Sequence, residues 1–179
     1  MRVVTGIARG RKLVAPAGTE VRPTTDMTKE AIFNILQNDI PNSKVLDLFA
    51  GSGQLGIEAL SRGAKHATFI DANKQAIAFI KENLQRTDFT AQSSVSFTDA
   101  PAFLKGCTCK FDIVLLDPPY GKNIIDKVLP EVLELMEPKG VVVCETQRNE
   151  ALPEGNDRFK VYKEYFYGKV KLTVYRDVE

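Results

Sequence analysis

The chain has no tryptophan, one histidine and three cysteines in 179 residues. Cys107, Cys109 and Cys144 form an odd, sparse set with no second pair of metal-ligating side chains nearby, which argues against a disulfide framework and a zinc site alike. We read them as reduced thiols, Cys107-x-Cys109 being incidental residues of a loop rather than a redox pair. His66 opens an apolar segment and has no partner in sequence, so it reads as structural and no metal is expected. An excess of one charge is also missing: 24 Lys and Arg against 23 Asp and Glu leave a formal +1, so the chain as a whole is not a polycation. No apolar run approaches the roughly 20 residues of a membrane span, and Met1-Arg2-Val3-Val4-Thr5-Gly6 lacks the anatomy of a signal peptide. A cytoplasmic protein without membrane contact is therefore expected. There is no internal repeat or low-complexity stretch, and 44% hydrophobic residues suffice for one compact domain.

What is present alternates. Apolar runs near 45–50, 66–71, 94–98, 111–117 and 140–146 read as strands. Between them, Gln54 to Arg62, Asn73 to Gln85, a short turn after Asp99, and Asn123 to Glu137 carry helical apolar spacing. Ala76, Ile77, Ile80 and Leu84 share one face of the second helix. Pro130 should bend or split the last one. Strand-helix alternation implies an α/β fold with a parallel sheet and crossover helices. After residue 146 the pattern changes to period two in Phe159–Lys163 and Tyr165–Tyr175, which predicts a terminal antiparallel hairpin.

The first forty residues fall outside this alternation. Residues 1–12 contain Arg2, Arg9, Arg11 and Lys12 and no acid, an asymmetry that suggests an arm facing a polyanion. Val3-Val4 and Leu13-Val14 around a Gly-rich centre suggest a small hairpin; a solvated basic hairpin with no partner is the competing reading. Arg22-Pro23-Thr24-Thr25-Asp26 leads into a helix from Met27 to about Asn38, with Thr25 or Asp26 as cap and Ile32, Ile35 and Leu36 as buried face.

Two motifs carry chemistry. Lys44 to Gly56 reads as a buried strand breaking into Gly51-x-Gly53-x-x-Gly56 and a helix, and a second strand ends in Asp71, 20 residues beyond Gly51. Glycines allow close backbone approach to a ligand, and a carboxylate at Asp71 can accept both hydroxyls of a ribose. This pair matches the dinucleotide fingerprint, so an NAD-dependent oxidoreductase has to be considered. Asp47, four residues before Gly51, favours S-adenosylmethionine instead, because a carboxylate there would receive a ligand ammonium and would repel a pyrophosphate. The second motif, Asp117-Pro118-Pro119-Tyr120, ends the apolar run Phe111–Leu116. A carboxylate and a proline carbonyl can accept both N–H bonds of a planar exocyclic amine and draw it towards a nucleophilic geometry while an aromatic ring stacks on the base. Hydride transfer needs no such element.

Arg9-Gly10-Arg11-Lys12-Leu13, Arg22-Pro23-Thr24-Thr25-Asp26, Glu30-Ala31-Ile32-Phe33-Asn34, Asp47 through Gly56 into Glu58-Ala59-Leu60-Ser61-Arg62, and Asp117-Pro118-Pro119-Tyr120 occur together in order. In this the chain resembles, nearly end to end, the bacterial RsmD family, which methylates the N2 amine of a guanine in 16S ribosomal RNA. The resemblance implies a Rossmann-like class I S-adenosylmethionine-dependent methyltransferase at 41–179 with a short N-terminal basic extension at 1–40. It also implies roles. Phe49, Ala50, Gly51 and Gly53 would face the methionine moiety, Asp71 the ribose and Asp99 the adenine amine, Asp99 being equally a helix N-cap. Asp117 and Pro118 would orient the guanine amine and Tyr120 would stack, with Arg9, Arg11, Lys12, Arg22 and Thr24 facing RNA. The partner implied is 16S rRNA, within the small subunit or an assembly intermediate, and a monomer is expected. An adenine-N6 methyltransferase remains the alternative within the class, since Asp-Pro-Pro-Tyr does not choose the base; a non-catalytic RNA-binding module is another. The chain departs from the family pattern at Met27 and Lys29, where arginines are usual, and at Asp71, often glutamate.

Overall fold

A computed structural model of the chain describes residues 1–17 and 26–179. Helices α1 (Asp26–Ile35), α2 (Gln54–Ser61), α3 (Lys74–Arg86), α4 (Ala100–Gly106) and α5 (Ile124–Glu134) accompany strands β1 (Lys44–Asp47), β2 (His66–Asp71), β3 (Ser93–Phe97), β4 (Phe111–Leu116), β5 (Met136–Gln147), β6 (Phe159–Tyr167) and β7 (Val170–Asp177). The strands form one sheet in the order β3-β2-β1-β4-β5-β7-β6. β1 to β5 are mutually parallel, whereas β7 is antiparallel to both β5 and β6. The expected terminal hairpin thus extends the sheet.

Period-two alternation sends successive side chains to opposite faces. Val45, Ile113, Leu115, Val141 and Val143 join α2 and α3 in one core, while Leu46, Val114, Leu116, Val142 and Cys144 join α4 and α5 in the other. Both faces are covered, so the middles of the central strands are apolar on both sides, as in Val45-Leu46, Ile113–Leu116 and Val141–Cys144. β3 closes one edge with Ser93, Ser94 and Ser96 and remains half-exposed, which limits pairing with foreign strands.

Three boundaries differ from the sequence reading. β1 ends at Asp47, because Leu48 to Gly53 already turn towards α2. α1 ends at Ile35 rather than about Asn38, with Ile32, Phe33 and Leu36 buried and Ile35 only partly so. Pro130 does not split the last helix: α5 is one element that contains it. Proline removes a single backbone donor, whereas Ile125, Val128, Leu129, Val132 and Leu133 all bury one face, and that burial outweighs one missing bond. Residues 136 and 137 belong instead to β5, which begins at Met136 opposite Phe111.

The basic N-terminal segment is an irregular hairpin, bridged at Arg2 and Lys12 and held by Val3 N–H to the Arg11 carbonyl (3.0 Å) and Leu13 N–H to the Met1 carbonyl (2.9 Å). It is fastened to the body. Val3, Ala8 and Leu13 are buried in the core shared with α1 to α3. The buried Glu58 carboxylate of α2 accepts from Val4 N–H (2.8 Å) and Thr5 N–H (3.2 Å), and the Ser61 hydroxyl accepts from Ala8 N–H (3.0 Å) and donates to the Thr5 carbonyl (2.7 Å). Lys29 is internal as well. Its ammonium donates to the Arg2 carbonyl (2.8 Å) and lies 3.8 Å from Glu58, and burial pulls its pKa down against the opposing pull of that carboxylate. The charge at 29 therefore fixes the hairpin, while Met27 is exposed.

Candidate active site

In a parallel sheet the carboxyl ends of adjacent strands form one edge, where ligands bind. β1, β2 and β4 deliver Asp47, Asp71 and Asp117 to that edge, and Asp99 follows β3 there. The four acids chosen from sequence are thus brought to one rim, with Asp47 near enough to feel both Asp71 and Asp117 electrostatically.

The glycine loop is built around two of them. The Asp71 carboxylate accepts from Gly51 N–H (2.9 Å) and Asn73 N–H (2.8 Å), so it ties the loop after β1 to the start of α3, which Asn73 caps. Asp47 Oδ2 accepts from Gly56 N–H (3.0 Å), one of the donors left open in the first turn of α2. A side chain at Gly56 would come within 2.4 Å of the Phe69 ring on β2, so only glycine lets α2 lie this close to the sheet. Gly51 is the opposite case: it is exposed, with φ +57°, and nothing lies within 4 Å of where a Cβ would stand. A ligand can therefore reach its backbone.

Asp47 is fully buried, and its Oδ1 has no hydrogen-bond partner among the described residues. Burial, opposed by the Gly56 N–H and reinforced by the like charges of Asp117 and Asp71, pushes its pKa from 3.8 up to about 7. A buried carboxylate oxygen with nothing to accept is costly on its own and suits a cationic donor. Asp71 is half-buried and Asp99 exposed; Asp99 caps α4 by accepting from Ala102 N–H through Oδ1 (2.7 Å), the structural role its position suggested. This set of acceptors fits a ligand that donates from an ammonium, a ribose and an amino-bearing base. Phe49 is half-buried, and Ala50 is held to the Ile70 carbonyl (2.9 Å).

On β4 the chain leaves the sheet through Asp117, half-buried, Pro118, buried, Pro119, exposed, and Tyr120, half-buried. The Tyr120 hydroxyl lies 3.5 Å from Glu145 Oε1 on β5, the outer limit of a hydrogen bond. Tyr120 forms one wall of a cavity of about 670 Å³.

Among the residues expected to meet RNA, Arg9, Arg11 and Lys12 are exposed. Arg11 donates to the Arg86 carbonyl (2.7 Å) and pairs with Asp88 (3.0 Å), just beyond the end of α3 that faces away from the acid rim. Arg22, Thr24 and Thr25 lie outside the described residues.

Three buried polar residues escaped the sequence reading. Asn83 on α3 accepts from Val14 N–H (2.7 Å) and donates to the carbonyls of Val14 (2.9 Å) and Ser52 (2.8 Å), linking the hairpin to the glycine loop. Glu58 anchors the hairpin, and Glu145 lies beneath the Tyr120 hydroxyl at the outer limit of hydrogen-bond distance. The available signal was an amide or acid within an otherwise apolar stripe, as in Val141-Val142-Val143-Cys144-Glu145.

Residues 1–176 match the family described as Conserved hypothetical protein 95. The chain is 39% identical over 181 residues to the Bacillus subtilis protein YlbH, covering 98% of both. It is 35% identical to the Haemophilus influenzae ribosomal RNA small subunit methyltransferase D, over 99% of this chain and 94% of that protein. The solved structure of the Escherichia coli protein yhhF superposes with a TM-score of 0.89 at 31% identity, covering 99% of this chain and 97% of the other. The seven-stranded sheet is that of class I methyltransferases.

Proposed function

This chain belongs to the RsmD family of ribosomal RNA methyltransferases, and we propose that it methylates the exocyclic N2 amine of a guanine in 16S rRNA with S-adenosyl-L-methionine as donor. The observation that carries the reading is the Asp117-Pro118-Pro119-Tyr120 turn at the end of the central strand β4, beside the rim formed by Asp47, Asp71 and Asp99. The cofactor supplies an electrophilic sulfonium methyl group. The orphaned Asp47 oxygen and the exposed Gly51 backbone would hold its amino-acid end, Asp71 its ribose and Asp99 its adenine amine. Asp117 and the Pro118 carbonyl accept the two N–H bonds of the target amine, so its lone pair turns out of conjugation and towards the donor. Tyr120 stacks on the extruded base. Alignment does most of the work, because holding both reactants in line removes most of the entropic cost. Arg9 and Lys12 contribute phosphate contacts. The substrate's own fold, in rRNA or an assembling small subunit, completes recognition for a monomeric, cytoplasmic enzyme.

The test is nucleoside mass spectrometry of rRNA from cells with and without the protein, and of rRNA methylated by the purified enzyme. Loss of one N2-methylguanine in the deletion strain, regained with the enzyme, is the expected result. Methyl label on adenine N6 alone would replace guanine by adenine as target.

A further inference from the structure

The cavity beside Tyr120 shares that ring with the chemistry above, but its other lining residues have no part in it. It is lined also by Arg148, Asn149, Phe166, Gly168 and Lys169, and its roughly 670 Å³ is within the range of small-ligand sites. Sheet order decides where it lies. β1, β2 and β3, which carry the cofactor acids, stand on one side of β4, and β5, β7 and β6 stand on the other. Gln147 at the end of β5 pairs with Val170, so the β6–β7 turn reaches the same rim as Asp117. Tyr120 thus separates the cofactor half of the rim from this second recess.

The recess is cationic and aromatic. The Arg148 guanidinium lies over the Phe166 ring, 4.8 Å from its centroid, and donates to the Gly168 carbonyl (3.2 Å), while Arg148 N–H bonds the Lys169 carbonyl (2.8 Å). Arg148 and Lys169 bring two positive charges, and no acid among the described residues lines the cavity. Phe166 is 48% exposed although it is large and apolar. A flat cation stacked on an accessible ring, with a second cation beside it, matches a base and a phosphate of single-stranded nucleic acid.

We propose that this recess binds the nucleotide adjoining the target base in the RNA strand, its base stacking on the Arg148–Phe166 pair and its phosphate meeting Arg148 and Lys169. The proposal rests on the RNA methyltransferase reading. Extruding a base onto Tyr120 unstacks its neighbour, and the recess supplies a replacement stack one wall away.

The experiment measures steady-state methylation of 16S rRNA, together with S-adenosylmethionine binding by calorimetry, for wild type, Phe166→Ala, Phe166→Trp and Arg148→Ala/Lys169→Ala. Phe166→Ala should raise the KM for RNA about tenfold, within the range for loss of one base stack, with cofactor affinity unchanged; Phe166→Trp should restore it. The double variant should lower the slope of log affinity against log salt by about 0.7 if one phosphate is held. An abasic site on one side of the methylated nucleotide should reproduce the Phe166→Ala defect and add nothing to it. An active wild type with the same RNA KM and salt slope as the variants overturns the subsite and leaves the function reading intact. A wild type that methylates no RNA overturns both.

Discussion

If the ligand ammonium meets Asp47 as proposed, cofactor binding is linked to pH. Its folded pKa of about 7 lies above the 3.8 of a solvated aspartate, so in the free protein the carboxyl keeps its proton through the acid range. The folded state then binds more protons than the unfolded one between those values, and Asp47's contribution to stability is fully present below about pH 4 and is lost as pH rises through about 7. Over the whole interval this amounts to at most about 4 kcal/mol. A ligand ammonium against Oδ1 reverses the preference, because it favours the ionised form as Asp71 and Asp117 cannot. S-adenosylmethionine binding should therefore expel the Asp47 proton. Below the raised pKa the carboxyl is mostly protonated, so binding at mildly acid pH should release up to about one proton, and affinity should rise as pH approaches about 7. Calorimetry in buffers of different ionisation enthalpy reads the proton directly. Asp47→Asn should bind more weakly, release no proton from this site and lose the pH dependence, while being more stable than wild type at pH 8. Methylthioadenosine, which lacks the ammonium, should release none from either protein. Equal proton release by wild type and Asp47→Asn would refute the placement of the ammonium at Asp47.

Asp71→Ala should weaken S-adenosylmethionine binding by about 1–3 kcal/mol, through unpaired ribose hydroxyls and the freed Gly51 loop; unchanged calorimetric affinity in a folded variant would remove Asp71 from the site. Asp117→Ala should abolish most methyl transfer while cofactor affinity persists, which single-turnover kinetics separates from binding. Tyr120→Ala should impair turnover and Tyr120→Phe only mildly, because the 3.5 Å contact to Glu145 is too long to carry much energy; a Tyr120→Phe enzyme as slow as Asp117→Ala would show that the hydroxyl takes part. Replacing Arg9, Arg11 and Lys12 together with alanine should lower the salt slope of RNA binding by about 1.4 rather than about 2, since Arg11 is engaged by Asp88, and equal slopes would leave the hairpin without a phosphate contact.

The acid rim was legible because each member ends an apolar run, and parallel alternation sends all such ends to one edge: Asp47, Asp71 and Asp117 needed no knowledge of tertiary contacts. Asp99 was legible in both roles, and the cap is what the structure realises. The hairpin was read from its charge, but its packing was not, for the residues that hold it are distant in sequence. Asn83 lies 69 residues from Val14, and Glu58 lies 54 from Val4. Of the bend or split expected at Pro130 the split does not occur, because local backbone preference was weighed without the apolar face of α5, and the pairing of Arg11 with Asp88, 77 residues away, leaves no local sign in the sequence.

These distant contacts bear on how the extension works. Asn83 touches Val14 and Ser52 with one amide, Lys29 joins the Arg2 carbonyl to the side of Glu58, and Glu58 belongs to the helix whose first turn Asp47 caps through Gly56. The hairpin and the glycine loop therefore share supports, and a displacement of one strains the other. A free basic arm would change RNA affinity without touching the cofactor pocket. A fastened one has two separable parts: exposed Arg9 and Lys12, whose removal should leave the pocket alone, and buried Asn83, whose replacement by alanine leaves the Val14 and Ser52 carbonyls and the Val14 N–H unpaired and should weaken the loop at Ser52 as well as the hairpin. The line between the N-terminal hairpin and the sheet domain runs through side-chain surfaces, not through a point in the chain.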